Sequence, residues 1–187
     1  MDEFSYLSVL LSIILGLAVT QILTGFRGLL QSRARVQVYW PAIAWSFLLL
    51  VICAQSWWAM FGLRSHHAWT FGGFAIVLLQ MICLYMLAAL VLPDFPSEQP
   101  VDLRATYIAN HRWFGAIAAL SGFVSLAKDL VLTGALPTAL NVAFHAVFVA
   151  GAVVFAITRR DRFHKVFVVV ISGLFALYIA ILFMRLQ

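Results

Sequence analysis

The chain has 187 residues, 64% of them hydrophobic and 10% charged, with a mean hydropathy of +1.02. A soluble domain is about half apolar and about a quarter charged; one small core cannot absorb this excess, so the composition calls for lipid and leaves no room for a separate soluble domain. The net charge of +5 forms no basic patch interleaved with aromatics, which argues against nucleic-acid binding; in a membrane protein such a surplus gathers in cytoplasmic loops.

The start, Met1-Asp2-Glu3, is acidic, whereas a signal peptide opens basic, so the first apolar run is expected to stay as a helix over about residues 6–30. Ser8, Ser12, Gly16, Thr20 and Thr24 recur every fourth position along it and share one face. Small faces of this kind let helices approach closely in lipid, so a packing seam is expected here, open to a second copy of the chain; a polar pathway beside Gln21 is the alternative. A second span covers about 39–63. Pro41 sits in its first turn, where a missing N–H does no harm, and Gln55, Ser56, Trp57 and Trp58 form its far end. After the loop Arg64-Ser65-His66-His67 a third span covers about 69–92, with Gln80 near its middle.

Segment 93–112 is the longest polar stretch. Pro93, Pro96 and Pro100 prevent a regular helix at its start. From Val101 the pattern Leu103, Tyr107, Ile108 suggests a short amphipathic helix with Asp102 at its favourable N-terminal end. It is expected to lie on the membrane surface rather than to run on into the fourth span, and it offers a contact for a protein partner. The fourth and fifth spans, about 113–133 and 138–159, are joined by the turn Thr133 to Pro137, too short for anything but antiparallel neighbours. A charged loop from Arg159 to Lys165 leads to the sixth span, about 167–184.

The expected fold class is therefore all-α, a polytopic bundle of six transmembrane helices. Loops one, three and five with their flanks carry Arg27, Arg33, Arg35, Arg104, Arg112, Arg159, Arg160, Arg162 and Lys165, nine cations against three (Arg64, Lys128, Arg185) on the other side. The positive-inside rule then places those loops in the cytoplasm and both termini outside. Trp40, Trp57, Trp58, Trp69 and Trp113 fall near span ends, as an aromatic belt does; Trp45 is the exception.

Lys128, Asp129 and His145 are the ionisable groups expected well inside apolar runs, with Asn141 as a fourth polar group. Such residues in a membrane default to a functional hypothesis. Counted from the turn, all four share one leaflet. Asn141 and His145 share a helix face, and Ser121, Ser125 and Lys128 form a stripe. Adjacent residues point about 100° apart, so Lys128 and Asp129 are not expected to pair, and Asp129 is expected to contact His145, a histidinium supplying the charge a buried carboxylate needs. The competing reading has Lys128 snorkelling to the surface. Gln55, Arg64, His66 and His67 complete an outer polar cluster.

No HExxH, GxSxG, CxxC or phosphate-binding glycine loop is present, so no catalytic residue and no cofactor is expected. Cys53 and Cys83 read as small core residues. The leading functional expectation is permeation or transport of an ion, proton or small solute, Asp129 and His145 handling the charge and Lys128 and Asn141 tuning it. The alternatives are a haem or metal redox protein using His145 with His66 or His67, and an accessory or sensory subunit contacting a partner through segment 93–112.

The run Tyr6 to Leu17 resembles the opening of uncharacterised bacterial multi-spanning inner-membrane proteins, as do Tyr39-Trp40-Pro41, Gln55 to Trp58 and Ala89 to Pro93. The resemblance implies a bacterial inner-membrane setting and carries no activity and no site residue.

Overall fold

The computed structural model describes residues 3–66, 68–95 and 100–182, the side chain of 182 excepted. The expectations attached to Asp2, His67, Pro96 and Arg185 lie outside these residues. Six long helices are present: α1 (Glu3–Gln31), α2 (Trp40–Met60), α3 (Phe71–Val91), α4 (Leu103–Thr133), α5 (Ala139–Ile157) and α6 (Asp161–Leu182). Each is long and apolar enough to cross a membrane. The chain is an all-α multi-pass membrane bundle. A short 3-10 turn, Phe61–Ser65, extends α2.

Local chemistry explains the helix ends. Thr70 caps α3 by accepting from Gly73 N at 3.0 Å. Asp102 does the same for α4, accepting from Arg104 N at 2.8 Å and Ala105 N at 3.1 Å, as its position suggested; a side-chain cap satisfies amides the first turn leaves unpaired. Pro41 occupies the first turn of α2. Gly134 ends α4 with φ +71°, the left-handed geometry that glycine adopts without a Cβ penalty.

Two expectations about elements are corrected. Leu103–Thr133 is one helix, so the segment after Val101 does not lie apart on a surface but runs straight into the fourth span. At about 1.5 Å per residue it is roughly 46 Å long, more than the ~30 Å hydrocarbon core. Nothing breaks it: no proline or glycine separates Leu103 from Phe114. The sixth helix likewise begins at Asp161, taking Arg162, His164 and Lys165 out of the expected loop. Between α1 and α2, Val36–Gln37 (β1) pairs in parallel with Val101–Asp102 (β2). That pairing puts the first and third connections at the same end of the bundle.

The packing is a ring with one helix outside it. Helices α2, α3, α4, α5 and α6 contact one another in sequence, and α6 returns to α2. Helix α1 packs on α3 and α2 through Leu11, Leu15, Ala18, Ile22 and Gly25. This corrects the expected seam within the chain: Ser12, Gly16, Thr20 and Thr24 are exposed, and a Cβ at Gly16 meets nothing within 4 Å. Large apolar side chains bury more surface than a small stripe offers, and they took the intrachain face. The tightest crossing is α4 on α5, where a Cβ at Gly115 would lie 2.7 Å from Ala156 Cβ and 2.9 Å from Ala152 O. The outer surface is apolar, with Val9, Ile13, Leu23, Phe123, Val153, Val169 and Ile181 all exposed. Trp57 and Trp113 stand exposed at opposite ends of that surface, where aromatic belts form. Trp45, the exception, is buried.

Candidate functional site

The five-helix ring encloses a cavity of about 340 Å³. No residue of α1 lines it. Its wall runs along α2 from Trp45 to Met60, along α4 from Phe114 to Asp129 and along α5 from Asn141 to Phe155. At helical rise that is roughly 20–25 Å of depth. Lys128, Asp129, Asn141 and His145, the four groups singled out by sequence, all line it. Antiparallel pairing of α4 and α5 through a short turn brings all four to one end of the cavity, with His145 against Ser125, about a turn deeper than Asp129.

Their contacts differ from expectation. Lys128 Nζ lies 3.8 Å from Asp129 Oδ1, so adjacent residues do meet. The four-carbon lysine stem is long enough to swing its ammonium back across the 100° between the two Cβ directions. Both side chains are partly exposed, so this is a long, water-screened ion pair of small energetic weight. Asp129 does not contact His145. The imidazole is 7% exposed and bonded on both nitrogens: Nδ1 to Asn141 O at 2.9 Å and Nε2 to Ser125 Oγ at 3.0 Å. A carbonyl oxygen only accepts, so Nδ1 carries a proton, and the serine hydroxyl, both donor and acceptor, pairs with Nε2. The ring points at Ser125, one turn deeper than Asp129.

Below this level Gln80 Nε2 donates to Ser121 Oγ at 2.8 Å. Gln80 Oε1 and Asn141 Oδ1 are buried without a hydrogen-bond partner, and both residues line the cavity. Tyr178 lines the wall from α6, its ring 6.0 Å from that of His145. The floor is a layer of four rings. Trp45 lies 5.0 Å from Phe114, 5.5 Å from Phe155 and 6.1 Å from Phe167, and Phe155 lies 5.6 Å from Phe167. The cavity is thus polar towards Asp129 and closed by aromatics at the other end. It has the size and lining of a small-molecule site: mostly apolar wall with a few convergent polar groups.

The outer polar cluster is only partly gathered. Gln55 lines the cavity; Arg64 and His66 do not. The Arg64 guanidinium stacks 3.7 Å over Phe61, and the His66 ring stands edge-on to Trp69 at 5.1 Å. His67 lies outside the described residues. Among the described residues no three His, Cys, Asp or Glu side chains are placed to share an ion; His145 lines the cavity and His66 does not.

The opposite end holds what sequence reasoning missed. Asp161 Oδ1 accepts from Tyr39 Oη at 2.9 Å and Arg104 Nε at 3.3 Å, and its Oδ2 lies 2.7 Å from Lys165 Nζ. Burial first, and then the bond to Asp161, hold the Tyr39 phenol above its ordinary range, so it remains a donor. Just inside, Tyr107 donates to His164 Nδ1 at 3.1 Å, and His164 Nε2 donates to Thr158 O at 2.9 Å. His111 stands with its ring 5.6 Å from His164. His111 and His164 are both buried, so Lys128, Asp129 and His145 are not alone among ionisable groups inside the bundle. The available signal was the i, i+4 pair Tyr107 and His111, which shares a helix face once α4 is read as continuous. Comparison with protein-family models, with curated proteins and with solved structures finds no significant match to this chain.

Proposed function

We propose that this membrane protein binds and transports a small solute or ion, with the large cavity as its binding site. One observation carries the reading: five helices enclose a cavity whose polar groups converge at one end while an aromatic layer closes the other. Alternating access needs such a site near mid-bilayer, reachable from one face and barred from the other. Asp129 and Lys128 form the charged entrance, and His145 with Ser125 and Asn141 forms the selecting level beneath it. Asp129 supplies the charge that a cation or proton meets first. His145 is held on both ring nitrogens, by Asn141 O and by Ser125 Oγ.

The cation-rich end, with Arg33, Arg35, Arg104 and Arg159, suits the cytoplasmic face of a bacterial inner membrane by the positive-inside rule, so the cavity opens outward and both termini lie outside. The exposed stripe Ser12, Gly16, Thr20 and Thr24 suits close approach by a second copy of the chain.

The test is transport by purified protein reconstituted in liposomes, measured as proton and alkali-cation flux at two pH values under an imposed potential. Asp129→Asn should abolish the pH dependence without loss of folded protein. Unchanged, pH-dependent flux in the variant would refute the assignment.

A further inference from the structure

Beyond the aromatic layer lies a second, much smaller cavity of about 10 Å³, lined by Trp45, Leu90, Val91, Tyr107, Asn110, His111, Phe114 and Phe155. Trp45, Phe114 and Phe155 line both cavities, so only the ring layer separates them. Two of the residues that line the small cavity carry a buried polar atom without a hydrogen bond: Trp45 Nε1 and His111 Nε2. Their residues are 7% and 4% exposed. The Trp45 indole lies near the Tyr107 oxygen, but no aligned bond joins them.

The two orphans are complementary. The indole nitrogen is a donor only. His111 Nδ1 lies 2.6 Å from Ile108 O, and a carbonyl only accepts, so Nδ1 bears the proton and Nε2 is the free acceptor. Leaving a buried donor and acceptor both unpaired costs about 1–3 kcal/mol each. A cavity of some 10–15 Å³ with two or more polar partners is enough for one water. A water there accepts from Trp45 and donates to His111, with Tyr107 and Asn110 at hand for its remaining bonds.

We propose that this cavity holds one water, and that through it His111 is a second, buried proton site loaded from the large cavity across the Trp45 edge. The step balances simply. The bound water receives a proton from a hydronium ion on the cavity side, which is left as water, and passes one to His111 Nε2. It remains water, and the ring becomes an imidazolium still bonded through Nδ1 to Ile108 O. Among the described residues, the titratable groups near His111 are His164 from α6 and Tyr107 from α4, with Tyr39, Asp161, Arg104 and Lys165 further out. Helices α2, α3 and α5 present to the small cavity only Trp45, Leu90, Val91 and Phe155, none of which titrates. The inference deepens the transport reading by naming the proton as an ion the bundle carries inward.

The experiment uses full-length protein with isotope-labelled histidine, reconstituted in liposomes, and reads magnetisation transfer from water to imidazole nitrogen. His111→Gln identifies the His111 signals. Transfer to His111 Nε2 is expected in the wild type. It should be lost in Trp45→Phe, which keeps a ring in the layer but removes the donor. It should also be lost in Val91→Ile, which fills the cavity and keeps both polar groups. No transfer in folded wild-type protein, or undiminished transfer in a folded variant, overturns the proposal. Proton flux from the same liposomes separates the two readings. Transfer without flux leaves the His111 site and removes transport; flux without transfer does the reverse.

Discussion

Gly115→Ala places one methyl group at the closest approach in the bundle, and its cost follows from geometry. The added Cβ would lie 2.7 Å from Ala156 Cβ and 2.9 Å from both Ala152 O and Ala156 Cα. Carbon atoms rest at about 3.5–4.0 Å, so α4 and α5 must part by roughly 0.5–1 Å. Two of the three obstacles are backbone atoms, which have no rotamer to change. Overpacking of this kind costs about 1–3 kcal/mol. Replacing glycine inside a helix also brings a gain of about 0.5–1 kcal/mol. Gly173→Ala supplies that gain alone, since nothing lies within 4 Å of its added Cβ. The difference between the two variants therefore isolates the clash. Unfolding of each, titrated with denaturing detergent from mild micelles, should place Gly115→Ala about 1–3 kcal/mol below Gly173→Ala. Equal stabilities would show that α4 and α5 do not cross this closely, and the cavity wall built on that crossing would have to be redrawn.

Further outcomes follow from the same contacts. Ser121→Ala strands the Gln80 amide against an apolar wall and should cost about 1–2 kcal/mol, measured by the same titration; Ser172→Ala, which removes only a hydroxyl bonded to Val168 O, is the comparison. Gly134→Ala puts a Cβ into a left-handed cap and should cost about 1 kcal/mol; no loss would mean that α4 ends differently. Asp161→Asn keeps the shape of the cluster but removes the charge shared by Tyr39, Arg104 and Lys165, and a loss of about 1–2 kcal/mol is expected, chiefly from the partly buried Tyr39 bond. A loss near zero would mean that the exposed arginine and lysine carry what little the cluster contributes.

The architecture was legible because lipid imposes a simple rule: runs of about 20 apolar residues span, and what separates them does not. The hairpin was legible for a second reason. The turn from Thr133 to Pro137 fixes the register of α4 and α5, so Asn141 and His145 had to face the level of Ser125 and Lys128. What periodicity could not give was the partner of each group. His145 went to Ser125 instead of Asp129 because a ring with Nδ1 bonded to its own helix needs only one hydroxyl to satisfy Nε2. The second buried cluster was hidden by a boundary. Arg104, Asn110 and Arg112 made the start of α4 look like a surface segment, and Arg162 and Lys165 did the same for α6. In three dimensions those cations fan outwards while Tyr107, His111 and His164 turn in. The stripe on α1 misled in the opposite direction: its spacing suited a seam, but Leu11, Leu15 and Ile22 had more surface to bury.

The central claim is that the cavity opens at the Asp129 end and is closed to solutes by the ring layer. A cysteine at Ser125, beside His145, tests it most directly. In sealed liposomes of known orientation, a membrane-impermeant thiol reagent should modify Ser125→Cys from the Asp129 side alone, while the buried Cys53 and Cys83 leave the parent protein unmodified. Modification from the Arg104 side, or from neither, would contradict the account.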